Sequence, residues 1–144
     1  MRETTMQRQN ISSGGPWEAS VGYSRAVRVG EVVYVAGTTA SAADGGVMHH
    51  GNMYGQAREA LRRIEAALVE AGASMGDVVR TRMFVTDIGR WEEAGRAHGE
   101  VFGDVRPAAT MVEVARLIDP GMLIEIEAEA VLRDGQRTEA STQG

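Results

Sequence analysis

Three glutamates, Glu125, Glu127 and Glu129, occupy every second position near the C-terminal end of the chain. The residues between and beside them are aliphatic: Ile124, Ile126, Ala128 and Ala130. This period of two predicts a β-strand with one carboxylate face and one aliphatic face. A hydrophobic core accepts the aliphatic face but not three ionised carboxylates. The glutamate face must therefore look into solvent, a subunit interface or a site, where a carboxylate can act as a general base.

Several other kinds of chemistry are excluded by composition. The chain has no cysteine, which rules out a thiol nucleophile, a disulfide framework and a thiolate metal site. All 15 basic side chains are arginines, so no lysine can form a Schiff base. His49 and His50 are adjacent and lack a third ligand at helical spacing, so we predict neither a metal site nor a cofactor. His98 is predicted to be a core-edge side chain with a hydrogen-bond partner.

Net charge and hydropathy limit the partners. The formal net charge of −5 argues against nucleic acid, because phosphate binding depends on clustered basic side chains. RNA binding or cleavage is therefore the least favoured function. No apolar run approaches the roughly 20 residues that span a membrane, and the N-terminus lacks a signal-peptide pattern. Cytoplasmic residence, with no membrane partner, is the expectation.

The segment Arg106–Leu132 is predicted to form two strands joined by a tight turn at Asp119-Pro120-Gly121. Proline presets φ in such a turn, and glycine accepts a positive φ. The remaining predicted elements are a hairpin with strands Ala26–Val29 and Val32–Ala36, a helix Met53–Ala71, a strand Val78–Thr86 and a helix from Gly89 or Arg90 to Phe102. We expect a flexible arm over residues 1–15, one domain over 16–133 and a disordered tail over 134–144.

The predicted order is β-β-α-β-α-β-β, an α+β class in which two helices cover one face of a single mixed sheet. Four stretches carry a family resemblance: GYSRAVRVGEVVYVAGTTA, DVVRTRMFVTDI, RPAATMVEVARL and MLIEIEAEAV. In this order they resemble the reactive intermediate deaminase (Rid) family, also known as YjgF/UK114. The resemblance implies a chorismate-mutase-like (YjgF) fold, assembled as a homotrimer with a small-molecule pocket at each subunit interface.

The resemblance also implies roles for individual residues. Glu125 matches the glutamate that positions water in deaminating members. The substrate-binding positions it implies are Tyr23, Gly37, Thr38, Gly95, Ala109, Thr110 and Met111. Two of them depart from the family pattern, because Ala109 stands where an arginine holds the substrate carboxylate and Gly95 replaces an asparagine. The departure predicts poor activity on carboxylate-bearing imines.

Two classes of function remain open. The first is a hydrolase that deaminates a less acidic imine, enamine or related electrophile, with Glu125 as general base or water-positioning group. The second is a non-catalytic trimer that binds a small molecule or regulates, in which Glu125 is a structural interface residue. In either case the acidic row needs partners, and we expect interface arginines to supply them, the candidates being Arg80, Arg82 and Arg116.

Overall fold

The computed structural model describes residues 7–133, which form a six-stranded sheet and two main helices. The strands are β1 (Arg8–Ile11), β2 (Ala26–Val29), β3 (Val32–Thr38), β4 (Val78–Val85), β5 (Ala108–Glu113) and β6 (Ile124–Val131). The helices are α1 (Met53–Glu70) and α2 (Trp91–Phe102). Short helical segments at Glu18–Gly22, Met75–Asp77 and Ile88–Arg90 complete the secondary structure.

The sheet has the spatial order β1-β2-β3-β6-β4-β5. Among the strands of residues 7–133, only β4 and β5 run parallel, and α2 is the crossover between them. All other neighbouring strands are antiparallel. The predicted α+β class, with two helices on one face of a single mixed sheet, is confirmed.

Two expectations need correction. Part of the predicted flexible arm is ordered, because Arg8–Ile11 pairs with β2 and buries Ile11 almost completely. The burial of Ile11 supplies the free energy that anchors this edge strand. The rest of that arm, residues 1–6, and the predicted tail over 134–144 lie outside the described residues.

The second correction concerns the strands on either side of Asp119-Pro120-Gly121. The turn forms, with the Met122 amide donating to the Asp119 carbonyl, but Gly121 does not have a positive φ. β5 and β6 are not neighbours, because β4 lies between them and pairs with both. The segment thus supplies the two predicted strands and their turn, but one strand lies at an edge of the sheet and the other is central.

The core lies between the helices and one face of the sheet. α1 contributes Ala57, Leu61, Ile64 and Leu68, and α2 contributes Ala94, Ala97 and Phe102. The sheet contributes the aliphatic residues of β6 and their neighbours on β3 and β4. Gly72 follows α1 with a φ of +90°, the left-handed conformation that ends many helices.

Neither α1 nor α2 covers the opposite face of the sheet, although the short segment Glu18–Gly22 lies beside its outer strands. The side chains of this face include the three β6 glutamates and, in register with them on β4, Arg80, Arg82 and Phe84. Tyr34, Val112 and Val131 are each between 42 and 50% exposed, although all three are large and apolar or aromatic. This surface, which we call the open face, is where the carboxylates predicted from the sequence are found.

Candidate functional site

Glu125 lies near the start of β6, with its side chain on the open face. In the register of the sheet it is opposite Phe84 of β4, which is in turn beside Val112 of β5. Strand neighbours are about 4.8 Å apart, so these three side chains form one row across the sheet. Glu125 is therefore a half-buried carboxylate with an aromatic and an aliphatic side chain on one flank.

On the other flank of Glu125 is Gly37 of β3. A Cβ atom at Gly37 would lie 2.4 Å from Oε2 of Glu125, closer than any real contact of that kind. The β3–β6 register also shifts between Val35 and Thr38, so the ladder is irregular at this point. A glycine in such a strand marks a close approach. The carboxylate consequently packs directly on the backbone of Gly37.

The three glutamates have different partners. Arg82 of the same chain donates to Oε1 of Glu127 at 3.2 Å and to Oε2 of Glu129 at 3.0 Å. Within residues 7–133, Glu125 makes neither an ion pair nor a hydrogen bond through its carboxylate. Arg82 was expected to pair with the acidic row across an interface. It pairs instead with Glu127 and Glu129 of its own chain. Glu125 thus differs from its two neighbours in having no charge-neutralising contact.

Burial raises the pKa of Glu125 above the ordinary value for a glutamate, because an ionised carboxylate loses hydration there. The positive charge of Arg25 opposes this change, and the negative charge of Glu127 adds to it. A carboxylate with a raised pKa is a stronger base once it is ionised. Among the described residues, this environment suits Glu125 to proton transfer.

Arg25 is a site residue that the sequence reasoning did not single out. Its Nη1 donates to Oγ1 of Thr38 at 3.0 Å, and its Nη2 donates to the carbonyl of Gly37 at 3.0 Å. Its guanidinium carbon lies 5.8 Å from the centre of the Tyr23 ring. The structure therefore brings together Glu125, Gly37, Thr38 and Tyr23 around Arg25. The sequence signal was its position between Tyr23 and a strand.

Tyr23 also lines a cleft of about 590 Å³ between the outer strands and the segment around Glu18–Gly22. The cleft includes Asn10, Tyr34 and Ala36 but not Glu125. Glu18 is fixed at its edge by Ser13, which donates to the carboxylate through both its amide and its hydroxyl. Tyr23 is thus shared between this open cleft and the surroundings of Arg25.

The remaining predicted site residues are not close to Glu125 within one chain. Ala109 and Met111 pair with Thr81 and Met83 of β4, whose side chains face the helices. Gly95 lies on α2, which packs on that same side. Thr110 faces the open side, but β4 separates its strand from β6. It is in register with Arg82 of β4 and Glu127 of β6 rather than with Glu125.

The histidines are structural or exposed. Nε2 of His98 lies 2.8 Å from Oγ1 of the buried Thr81, as expected for a core-edge side chain with a partner. Burial lowers the pKa of His98, so the ring is neutral at pH 7. His49 and His50 lie in the loop before α1. Over residues 7–133, no group of three potential metal ligands is found, and no helix is long and apolar enough to cross a membrane.

The comparisons with known proteins agree with the fold. A family model described as Endoribonuclease L-PSP matches residues 16–132. A crystal structure of Rv2704 from Mycobacterium tuberculosis, described as a member of the YjgF/YER057c/UK114 family, is 53% identical, with a TM-score of 0.80. The match covers 88% of this chain and all of that one.

Two further relatives extend the comparison. An uncharacterized protein of Streptomyces coelicolor is 38% identical over 85% of this chain and 90% of its own length. A RutC family protein of Pyrococcus abyssi is 36% identical over 75% of this chain and 84% of its own. The chain belongs to the Endoribonuclease L-PSP family, the YjgF/UK114 or Rid family, as the sequence resemblance predicted.

Proposed function

We propose that this protein is a small-molecule hydrolase that deaminates an imine or enamine, with Glu125 as the general base. The supporting observation is the environment of Glu125, a half-buried carboxylate without an ion pair in the described chain and packed on the backbone of Gly37. Membership of the Rid family supports a deaminase or small-molecule-binding role. The two lines of support are independent, since one concerns geometry and the other ancestry.

In the proposed reaction, Glu125 accepts a proton from water as the water oxygen adds to the imine carbon. The proton then passes to the substrate nitrogen, which gives a carbinolamine. Transfer of the carbinolamine hydroxyl proton to the same nitrogen accompanies cleavage of the C–N bond, so that a carbonyl compound and ammonia leave. Each turnover consumes one water and needs no cofactor. Because Glu125 must be ionised to accept the proton, activity falls as the pH drops through the pKa of Glu125.

The substrate we propose is an imine without a carboxylate. The position of the carboxylate-binding arginine is occupied by Ala109, whose methyl group offers no hydrogen-bond donor. Arg106, three residues earlier, precedes β5 with a φ of +55°, outside the regular strand. Arg25 is already engaged with Gly37 and Thr38. Arg25 is thus committed to β3, and Arg106 lies outside the regular strand.

The site is proposed to be completed in a homotrimer. The open face exposes Tyr34, Val112 and Val131 and carries Glu125, so covering it would bury both apolar area and the carboxylate. Ala109 and Met111 face away from Glu125 of their own chain, so they can line its pocket only from another copy. Closed cyclic symmetry would give three identical sites.

The experiment compares two imines generated in the assay. An amine oxidase releases a neutral imine from benzylamine, and an amino-acid oxidase releases 2-iminopropionate from alanine, with semicarbazide trapping whatever imine is not hydrolysed. The proposal predicts accelerated hydrolysis of the neutral imine and little effect on 2-iminopropionate. Robust turnover of 2-iminopropionate would contradict the proposed substrate class. Light scattering that gave the mass of one chain at micromolar concentration would contradict the trimer.

The second candidate is a non-catalytic trimer that binds a small molecule or regulates. The absence of an arginine at position 109 favours this second function. A family pocket that lacks the arginine for the substrate carboxylate can still bind a small molecule. Acceleration of neither imine, together with saturable binding of a small molecule in calorimetry, would favour this function. Cleavage of RNA, which the family description names, is disfavoured by the net charge of −5.

A further inference from the structure

We propose that Arg25 is a positioning residue of the Glu125 site, which holds the Gly37–Thr38 segment in place and supplies the positive charge that faces the carboxylate. The inference rests on the proposed function in taking Glu125 as the working group. It adds a residue that neither the family resemblance nor the missing arginine identifies.

Arg25 contacts β3 through both its backbone and its side chain. It immediately precedes β2, and its own carbonyl accepts a hydrogen bond from the amide of Ala36 at 2.9 Å. Its side chain continues along β3, donating to the Gly37 carbonyl and to the Thr38 hydroxyl. The backbone and the side chain of one residue therefore bind three successive residues of β3.

Ala36, Gly37 and Thr38 form the irregular end of β3. Between Val35 and Thr38 the β3–β6 register shifts, so this part of β3 lacks a regular ladder to β6. Thr38 is fully buried and donates its hydroxyl hydrogen to the Ala36 carbonyl at 2.7 Å. Arg25 supplies hydrogen bonds that the irregular ladder does not provide, and backbone groups in such a place need a partner. The segment it fixes is the one on which Glu125 rests.

The position of the Arg25 side chain carries a cost in free energy. The Nε atom of Arg25 is buried and has no hydrogen-bond partner among the described residues. An unpaired buried N–H is unfavourable, and the hydrogen bonds of Nη1 and Nη2 to Thr38 and Gly37 offset that cost. Placed there, Arg25 is the cation whose charge lowers the pKa of Glu125 among residues 7–133.

Other charged and titratable groups also lie near Glu125. Glu127 of β6 raises the pKa of Glu125, and Arg82 of β4 is engaged by Glu127 and Glu129. Phe84 of β4 and Gly37 of β3 carry no charge, and the phenol of Tyr23 stands near Arg25. Within the described chain, the balance at Glu125 is between burial and Glu127 on one side and Arg25 on the other.

The test is a pH titration of the Glu125 carboxyl carbon by ¹³C NMR in the assembled protein, with the signal assigned from the Glu125→Gln variant. Arg25→Gln should raise the pKa of Glu125 and shift the amide signals of Gly37 and Thr38. Arg25→Lys, which keeps the charge without the planar fork, should shift those amides but leave the pKa near that of the unaltered protein.

The matched control is Arg28→Gln. Arg28 also belongs to the β2 region and also donates to backbone carbonyls, those of Gly30 and Ala71, but it lies on the helix side of the sheet. This variant should leave Glu125 unchanged. In the imine assay, each unit by which the pKa of Glu125 rises should lower activity on the acidic limb about tenfold.

A pKa of Glu125 that is the same in Arg25→Gln as in Arg28→Gln would overturn the proposal. Should Arg25→Gln fail to fold, Arg25→Lys decides: a pKa near that of the unaltered protein supports the charge role, and a clear rise contradicts it. The titration needs no substrate. Failure of the imine assay would therefore remove the proposed function without removing this measurement.

Discussion

The carboxylate of Glu125 packs against Gly37 so closely that no other residue fits at position 37 without moving it. The backbone of Gly37 does not have a positive φ, so alanine is compatible with its conformation. What an added methyl group would meet is the end of a flexible side chain. The contact therefore fixes the carboxylate rather than the strand.

Gly37→Ala should consequently displace Glu125 with little change in melting temperature, and should lower imine hydrolysis at least about tenfold, since small misplacements of a catalytic group are costly. The control is Gly99→Ala on α2, where an added Cβ meets nothing within 4 Å. That change should keep activity and raise helix stability by up to about 1 kcal/mol. Full activity in Gly37→Ala would show that the position of the carboxylate is unimportant.

A second prediction concerns the support of the loop after β3. Glu59 is nearly buried on α1, and hydrogen bonds from Arg62 and Arg63 hold its pKa at about 2. Arg63 also donates to the carbonyls of Thr39 and Ser41. Glu59 thus stabilises the arginine that holds the chain just beyond Thr38.

Glu59→Gln should lower the free energy of unfolding by about 1.5–3 kcal/mol at pH 7. Because the folded-state pKa is depressed, this stabilisation is present above the unfolded value near 4.5 and is lost as the pH falls toward about 2. Urea unfolding at fixed protein concentration measures it. Glu65→Gln, an exposed change on the same helix, should have an effect within about 0.5 kcal/mol. Equal effects of the two changes would refute the role of Glu59.

The third prediction is a pH dependence that comes from His98. Burial lowers its folded-state pKa, so the unfolded chain takes up the proton first as the pH falls. The stabilisation is fully present above the unfolded value near 6.5 and is lost below it, with a slope of at most about 1.4 kcal/mol per pH unit. His98→Gln should flatten the stability profile between pH 7.5 and 5.5. An unchanged slope in His98→Gln would mean that other groups cause it.

The fourth prediction concerns Ala109. An arginine there would face away from Glu125 of its own chain and could reach only the site of another copy. Ala109→Arg should therefore raise 2-iminopropionate hydrolysis by roughly 10–150-fold in the assembled protein. The neighbouring Ala108→Arg places the same charge on the other face of β5 and should give no such gain. Equal gains from both variants would indicate a nonspecific charge effect.

The elements with strong periodicity were predictable from the sequence. α1 ends one residue before the predicted boundary, and the alternation of β6 correctly separated its buried and open faces. β1 was missed because Arg8–Ile11 has a single apolar residue, and its pairing depends on β2 rather than on local pattern. The insertion of β4 between β5 and β6 is likewise a long-range pairing that no local signal encodes.

The candidate site was predictable only in part. Glu125 and Gly37 followed from alternation and from the family resemblance, and the structure places them in contact. Arg25 was missed because an arginine before a strand ordinarily reaches into solvent. Its role depends on the irregular β3 backbone, which appears only once the β3–β6 register is known.

The fifth prediction tests the central claim most directly by removing the base. Glu125→Gln keeps the size of the side chain and removes its charge, so hydrolysis of the neutral imine from benzylamine should fall by about 10²–10⁴. The mass of the proposed trimer should be unchanged, and the melting temperature at pH 7 should be equal or slightly higher, because the raised pKa means that the buried charge is unfavourable. Glu127→Gln, in which the change falls on an ion-paired neighbour, should retain most activity. Loss of the trimer in Glu125→Gln, without loss of activity per trimer, would contradict the catalytic role.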